Sequence, residues 1–320
     1  MGWLKTGIGS VVGAVVGLAA LNTWLGWRVG PLGSALVGES RYYHWLTGTE
    51  VYNVFYRVTG TGAPVVLVHG IDAAASSFEL RHVFAGLADN HRVYALDLLG
   101  FGLSDRPARR YTAADYVELI EAFLRDVVQA PAAIIASSLS AAYAVAVAAR
   151  APERVARLVL VCPTGLEHLA DPPPAWQRRL GDLLRLPVIG SALFNLLVAR
   201  PSLRWFLTER TYADPARVTP ELLDHYYLTA HQGGARHAPA AFVGGSLNLS
   251  IRETYPTLGQ PVLVVWGREA QITPVSDANQ FIRSRPTTRL KVLDRCGLLP
   301  HDERPEAFLA IAREALGHVS

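Results

Sequence analysis

Along most of this chain, short apolar runs of strand length alternate with longer stretches of helical period. Arg41 to Trp45 and Val51 to Val58 alternate apolar and polar residues, which predicts two half-buried strands paired antiparallel. Ala63 to Val68, Arg92 to Leu96, Ala132 to Ala136 and Val155 to Val161 are compact apolar runs, the pattern of parallel strands covered on both faces. Predicted helices lie between them. One runs from about Phe78 to Leu87, and an alanine-rich one follows Leu139. A third opens with a Thr112–Asp115 capping box and lines up Val117, Ile120, Phe123, Leu124 and Val127 on one face. This alternation predicts an α/β protein, its sheet mostly parallel with helices on both faces.

The alternation stops at Pro163. From Gly165 to about Leu258 the chain is helical and aromatic, broken at Pro172-Pro173-Pro174, Pro187 and Pro201. The sheet pattern resumes at Pro261 to Trp266, a helix follows Pro274, Leu290 to Leu293 is a strand, and a last helix runs from about Pro305 to Leu316. An insertion of that length after the sixth strand is expected to form a helical cap over the carboxyl ends of the sheet, where open α/β sheets bind ligands. The expected division is a core over residues 29–164 and 259–320, a cap over 165–258, and a separate segment over 1–28. Half of the chain is hydrophobic and 18% is charged, which suits a buried sheet and excludes a disordered chain. The net charge of +3 is spread without a block of like sign, so no nucleic-acid partner is expected. Cys162 and Cys296 lie far apart without metal-ligand spacing, and neither a metal nor a cofactor is expected.

From Thr6 to Trp27 the chain runs 22 residues without a charge, about enough to cross a bilayer as one helix. Trp3, Trp24 and Trp27 stand near its ends, and Lys5 and Arg28 bracket it. Gly9, Gly13 and Gly17 recur every fourth residue, giving a bare face on which another helix could seat. A secretory signal with Gly17 and Ala19 at its cleavage site is the alternative. The length of the run favours a retained single-pass anchor through residues 6–27. Orientation stays open, because the amino terminus and Lys5 balance Arg28 and Arg41.

The candidate chemistry sits where the strand at Ala132 to Ala136 passes directly into a helix. Ser137, Ser138 and Ser140 mark the junction, and Ser138 has the small residues Ala136 and Ser140 two positions to either side. Such a turn forces its apex residue into a strained backbone conformation that only small neighbours accommodate. The stretch resembles the nucleophile elbow of the α/β-hydrolase family, G-x-S-x-G, with both glycines replaced by the next-smallest residues. VVLVHGI (65–71), ALDLLGFGLSDRP (95–107), VLVVWGREAQITP (262–274) and CGLLPHDERPEAF (296–308) resemble the same family in matching order, over nearly everything from Arg41 onward. The resemblance implies an α/β-hydrolase fold with a cap after the sixth strand. It makes Ser138 the nucleophile position and the amides of Ile71 and Leu139 the oxyanion hole. His69 is expected to orient the loop beneath the site.

The chain departs from the family at two places. The position of the family's acid, after W-G and four before a proline, is Ala270, and the position of its base is Leu298, after Gly297. Without an imidazole nothing takes the proton of Ser138, and without a carboxylate no imidazole is held in its useful tautomer. Glu269 is expected to point away, Asp277 to lie a turn into the next helix, and Cys162 fills the family's other acid position. His301 is the candidate displaced base. Two readings follow. In one, the protein is a membrane-anchored pseudoenzyme that binds an apolar small molecule, a lipid or a partner under its cap. In the other, it is a serine esterase or lipase-like hydrolase using Ser138 with His301. A third, cofactor-free chemistry other than hydrolysis, stays open because the fold hosts many reactions.

Overall fold

The computed structural model describes residues 36–317 and, ahead of them, Gly17, Ala19, Ala20, Asn22, Thr23 and residues 30–33. Most of the expected anchor, including Gly9 and Gly13, therefore lies outside the described residues. Among the described residues no single helix is long and apolar enough to cross a membrane.

Among the described residues eight strands form one sheet in the order β1-β2-β4-β3-β5-β6-β7-β8. β1 (Glu39–Thr47) and β2 (Glu50–Thr59) pair antiparallel, as their alternation predicts, and β2 pairs antiparallel with β4 (His91–Leu96). β3 (Ala63–Val68), β4, β5 (Ala132–Ser137), β6 (Val155–Val161), β7 (Val262–Gly267) and β8 (Arg289–Leu293) run parallel. Every residue of β5 and of β7 is buried, which is why these strands read as unbroken apolar runs.

The helical expectations hold with local adjustments. The predicted helix over 78–87 is a tight turn at Ser77–Leu80 followed by α1 (Arg81–Leu87). The Thr112–Asp115 capping box opens α2 (Ala113–Phe123), which widens into a turn over Leu124–Val128 and stops at Gln129 with φ 58°. α3 (Leu139–Arg150) follows β5 with one residue between them. After β6 come α4 (Ala175–Arg185), α5 (Ile189–Leu197), α6 (Arg200–Phe206), α7 (Pro220–Ala230) and α8 (His237–Val243). α9 (Ala278–Ser284), α10 (Pro300–Glu303) and α11 (Pro305–Leu316) complete the sheet's flanks.

Two apolar clusters divide the interior. The larger joins the sheet to its flanking helices, and it also takes in Ala238, Leu247, Ile251 and Tyr255. The smaller, from Phe194 to Ala235, belongs to the cap and touches the core through Ala74 and Leu299. β3 has β4 on one side and β5 on the other, so chain order reverses there. The crevice at such a reversal is where an open sheet binds its ligand, and the ends of β3 and β5 carry Gly70-Ile71 and Ser138.

Candidate active site

Ser138 stands between the last residue of β5 and the first of α3 with φ 53° and ψ −122°, a conformation that costs a non-glycine residue free energy. Its N–H donates to the Val161 carbonyl at 2.8 Å, and its own carbonyl accepts from Ala141 at 3.2 Å and Thr164 at 3.3 Å. These bonds fix the strain in place. Ala136 and Ser140 are fully buried against the turn, so the small residues replacing the family's glycines fit it. Ser138 remains partly exposed, facing a chamber of about 330 Å³.

The expected oxyanion pair flanks that chamber. Leu139 is the first residue of α3, so its amide has no helical acceptor. The Ile71 amide has no acceptor among the described residues, and Ile71 lines the chamber. His69 has the orienting position expected of it. Its Nε2 accepts from the Leu98 amide at 3.0 Å, which puts the proton on Nδ1, where it donates to the Gly70 carbonyl at 2.6 Å.

The two positions expected to hold acid and base are apolar in place. Leu298 lines the chamber beside Ser138, and Ala270 is buried and does not line it. Among the described residues no side chain is hydrogen-bonded to the Ser138 hydroxyl. Glu269 points away as expected, its carboxylate accepting from the Cys296 amide at 2.8 Å. Burial pushes the Cys162 thiol up to about 12, so it supplies no charge in the acid's other position.

His301 is fully buried, does not line the chamber, and sets its Nε2 3.5 Å from Glu79 Oε1. Glu79 itself reaches the chamber wall and accepts from the Gly70 amide at 3.0 Å. Burial pushes the Glu79 carboxyl up, but His301, His69 and the Gly70 amide together hold it below the ordinary carboxylate value. The next two residues are equally engaged. Asp302 pairs with Arg81 at 2.9 Å and accepts from the Tyr212 hydroxyl, while Glu303 accepts from Gly297 at 2.6 Å and Ala213 at 2.8 Å. The string His301-Asp302-Glu303 thus ties the loop carrying Leu298 to the first loop and to the cap.

One pair escaped sequence reasoning. His168 lines the chamber from the start of the cap, and its Nε2 lies 3.0 Å from Asp277 Oδ2. His168 stands alone in the sequence, with no local signal that Asp277 would meet it.

A second chamber of about 670 Å³ lies under the cap, lined by Phe194, Leu197, Trp205 and Val243 among others. Asp72, Phe206 and Phe242 belong to the walls of both chambers and mark the neck between them. Burial pushes the Asp72 carboxyl up to about 6. Of the cap aromatics, Phe194 and Tyr226 fill the cap's own core while turning one side to this chamber.

Known proteins resemble this chain in sequence and fold. A model of the Alpha/beta hydrolase family matches residues 65–311. The 2-hydroxymuconate semialdehyde hydrolase of Pseudomonas putida is 28% identical over 84% of this chain and 94% of its own. The pimeloyl-[acyl-carrier protein] methyl ester esterase of Nitrosomonas europaea is 27% identical over 81% of this chain and 97% of its own. A crystal structure of a serine hydrolase involved in carbazole degradation superposes with a TM-score of 0.71 at 24% identity, covering 88% of this chain and 99% of that one. The match over residues 65–311, together with the elbow at Ser138, establishes that the chain belongs to the alpha/beta hydrolase family.

Proposed function

We propose that this protein holds a long apolar molecule in the paired chambers over Ser138 without cleaving it by the family's usual chemistry, and that residues 6–27 anchor it to a membrane. One observation carries the first part. The Ser138 hydroxyl is presented in strained elbow geometry to a chamber where Leu298 stands at the base position, and no imidazole among the described residues is bonded to it. Serine is a weak nucleophile without a base, and an oxyanion hole with binding alone leaves roughly a thousandfold acceleration over water. The chambers suit a molecule with a long hydrophobic portion and a polar end beside Ser138. Reaction with a fluorophosphonate probe, wild type against Ser138→Ala, tests this reading. Slow or absent labelling, with a lipid identified by mass spectrometry in the purified protein, is the expected result.

The His168–Asp277 pair favours a second reading, a serine esterase or lipase-like enzyme whose base comes from the cap. It requires the imidazole to come within about 3 Å of Ser138. The His301 version would require that ring to leave Glu79. Rapid ester turnover abolished by both Ser138→Ala and His168→Ala would establish the enzyme and displace the first reading.

The anchor rests on the charge-free run and its aromatic flanks. Within that run, Asn22 donates to the Val188 carbonyl at 3.0 Å and accepts from Asn195 at 2.9 Å, so its last residues meet the cap. Recovery of the uncleaved chain in the soluble fraction would refute it.

A further inference from the structure

Twelve large apolar side chains are exposed among the described residues, and eight of them fall between Trp176 and Trp205. Trp176 is 66% exposed, Leu196 68%, Leu197 55% and Trp205 60%. They ride on α4, α5 and α6, which follow one another in the chain, with α4 and α5 meeting at a bend of 106°. Scattered exposed leucines need no explanation, whereas eight concentrated in one run of three successive helices point to an interaction surface.

The charge of this segment narrows the partner. Between Ala175 and Arg210 there are six arginines and two acids, a net +4 against +3 for the whole chain. Arg179 and Arg204 are exposed and pair with no acid among the described residues. Tryptophan and leucine interleaved with arginine is the composition of helices that lie in the boundary between headgroups and acyl chains. The sharp bend excludes a straight span through both helices. This segment also meets the amino-terminal one, because Asn22 bonds Val188, just before α5, and Asn195, near its end.

A third observation connects the face to the site. Leu197 and Trp205, both more than half exposed, line the larger chamber as well. The chamber's mouth therefore opens on the apolar face.

We propose that α4, α5 and α6 dock the cap into an anionic lipid bilayer, so that the ligand passes between membrane and chamber at Leu197 and Trp205 without crossing water. The proposal rests on the reading above, that residues 6–27 hold the chain at a membrane, and adds the surface that meets it. The test uses the full chain in vesicles of phosphatidylcholine and phosphatidylglycerol carrying brominated acyl chains, which quench tryptophan on contact. Trp45 and Trp266 are buried in the core, leaving Trp3, Trp24, Trp27, Trp176 and Trp205 as quenchable. The variant Trp176→Phe/Trp205→Phe is expected to lose roughly two-fifths of the bromolipid-quenched emission, as interfacial tryptophans would. Arg179→Glu/Arg204→Glu is expected to lose part of it in anionic vesicles and none in neutral ones.

A vesicle-bound chain whose quenching is unchanged by the double tryptophan variant overturns the cap surface and leaves the anchor standing. If the uncleaved chain proves soluble, the anchor alone fails. Vesicles added to that soluble protein then support the cap surface by quenching Trp176 and Trp205, or overturn it by leaving them bright. Concentration-dependent protection of both tryptophans from an aqueous quencher, without lipid contact, assigns the face to a second copy and overturns the proposal.

Discussion

Restoring the two missing side chains tests whether anything else about the site is missing. The backbone that would carry them is already fixed. Leu298 donates to the Thr211 carbonyl at 2.8 Å, Gly297 donates to Glu303, and the Ala270 amide donates to the Gly267 carbonyl at 3.2 Å. Leu298→His alone puts an imidazole on the chamber wall with no acid behind it, and Ala270→Asp alone buries a carboxylate with no partner. Each is expected to cost about 1–3 kcal/mol of stability, the scale of an unsatisfied buried polar group. Together they can pair, so the double variant should be more stable than the sum of the singles by about 0.5–3 kcal/mol. Turnover should be still less additive. An imidazole without its orienting carboxylate loses about four orders of magnitude, so Leu298→His should stay near the wild-type background and the double variant should rise by up to about 10⁴-fold. Hydrolysis of short p-nitrophenyl esters, with denaturant melts on all four proteins, reads both quantities. Leu298→His as active as the double variant, or a wild type already active and silenced by Ser138→Ala, would refute the reasoning.

Glu79→Ala should destabilise by about 3–5 kcal/mol, since it strands His301 and the Gly70 amide, and Glu79→Gln by less because its carbonyl can still accept from Gly70; urea titration separates them. Asp72 and His225 should give opposite pH slopes. Burial raises Asp72 to about 6, so its contribution is present below its unfolded value and is lost as pH rises through 6. Burial lowers His225 to about 4, so its contribution is present above its unfolded value and is lost as pH falls towards 4. Between pH 4 and 6 the two offset each other. Asp72→Asn should therefore make melting temperature fall on acidification relative to wild type, and His225→Gln should make it rise. Leu298→Asp should weaken binding of a co-purified lipid by about 1–3 kcal/mol, and equal affinities by titration would remove the apolar-wall argument.

The fold was legible because buried parallel strands announce themselves as apolar runs, and β5 and β7 are buried at every residue. The elbow was legible for a local reason too, since a strand abutting a helix leaves only small neighbours room around Ser138. Strand order left no comparable trace beyond the family resemblance. Nor did contacts between residues far apart in sequence. His301 attracted notice as a base because it follows Leu298 by three residues, yet the short helix α10 carries it out of the chamber and against Glu79. Glu79 looked like an ordinary helix residue, and nothing near His168 pointed to Asp277. In each case one partner alone is unremarkable, and only the packing of cap and loops onto the sheet makes the pair.

The chamber floor is not uniformly apolar, and this bears on what it can hold. The hydroxyls of Ser137, Thr164 and Thr273 line it, are buried, and have no hydrogen-bond partner among the described residues. A hydroxyl left unsatisfied costs far less than an unpaired charge, and it can rotate to meet whatever arrives. The acidic groups nearby are engaged: Glu79 by Gly70 and His301, Asp72 by the Ala74 amide at 2.6 Å, and Asp277 by His168. With Leu298 and Ala270 apolar, the acid and base positions add no charge beside Ser138, while burial pushes Asp72, at the neck, towards its neutral form. What remains is a small set of neutral donors and acceptors at the inner end of a long hydrophobic space. Under the reading proposed above, that arrangement suits a molecule with one neutral polar end and a long tail.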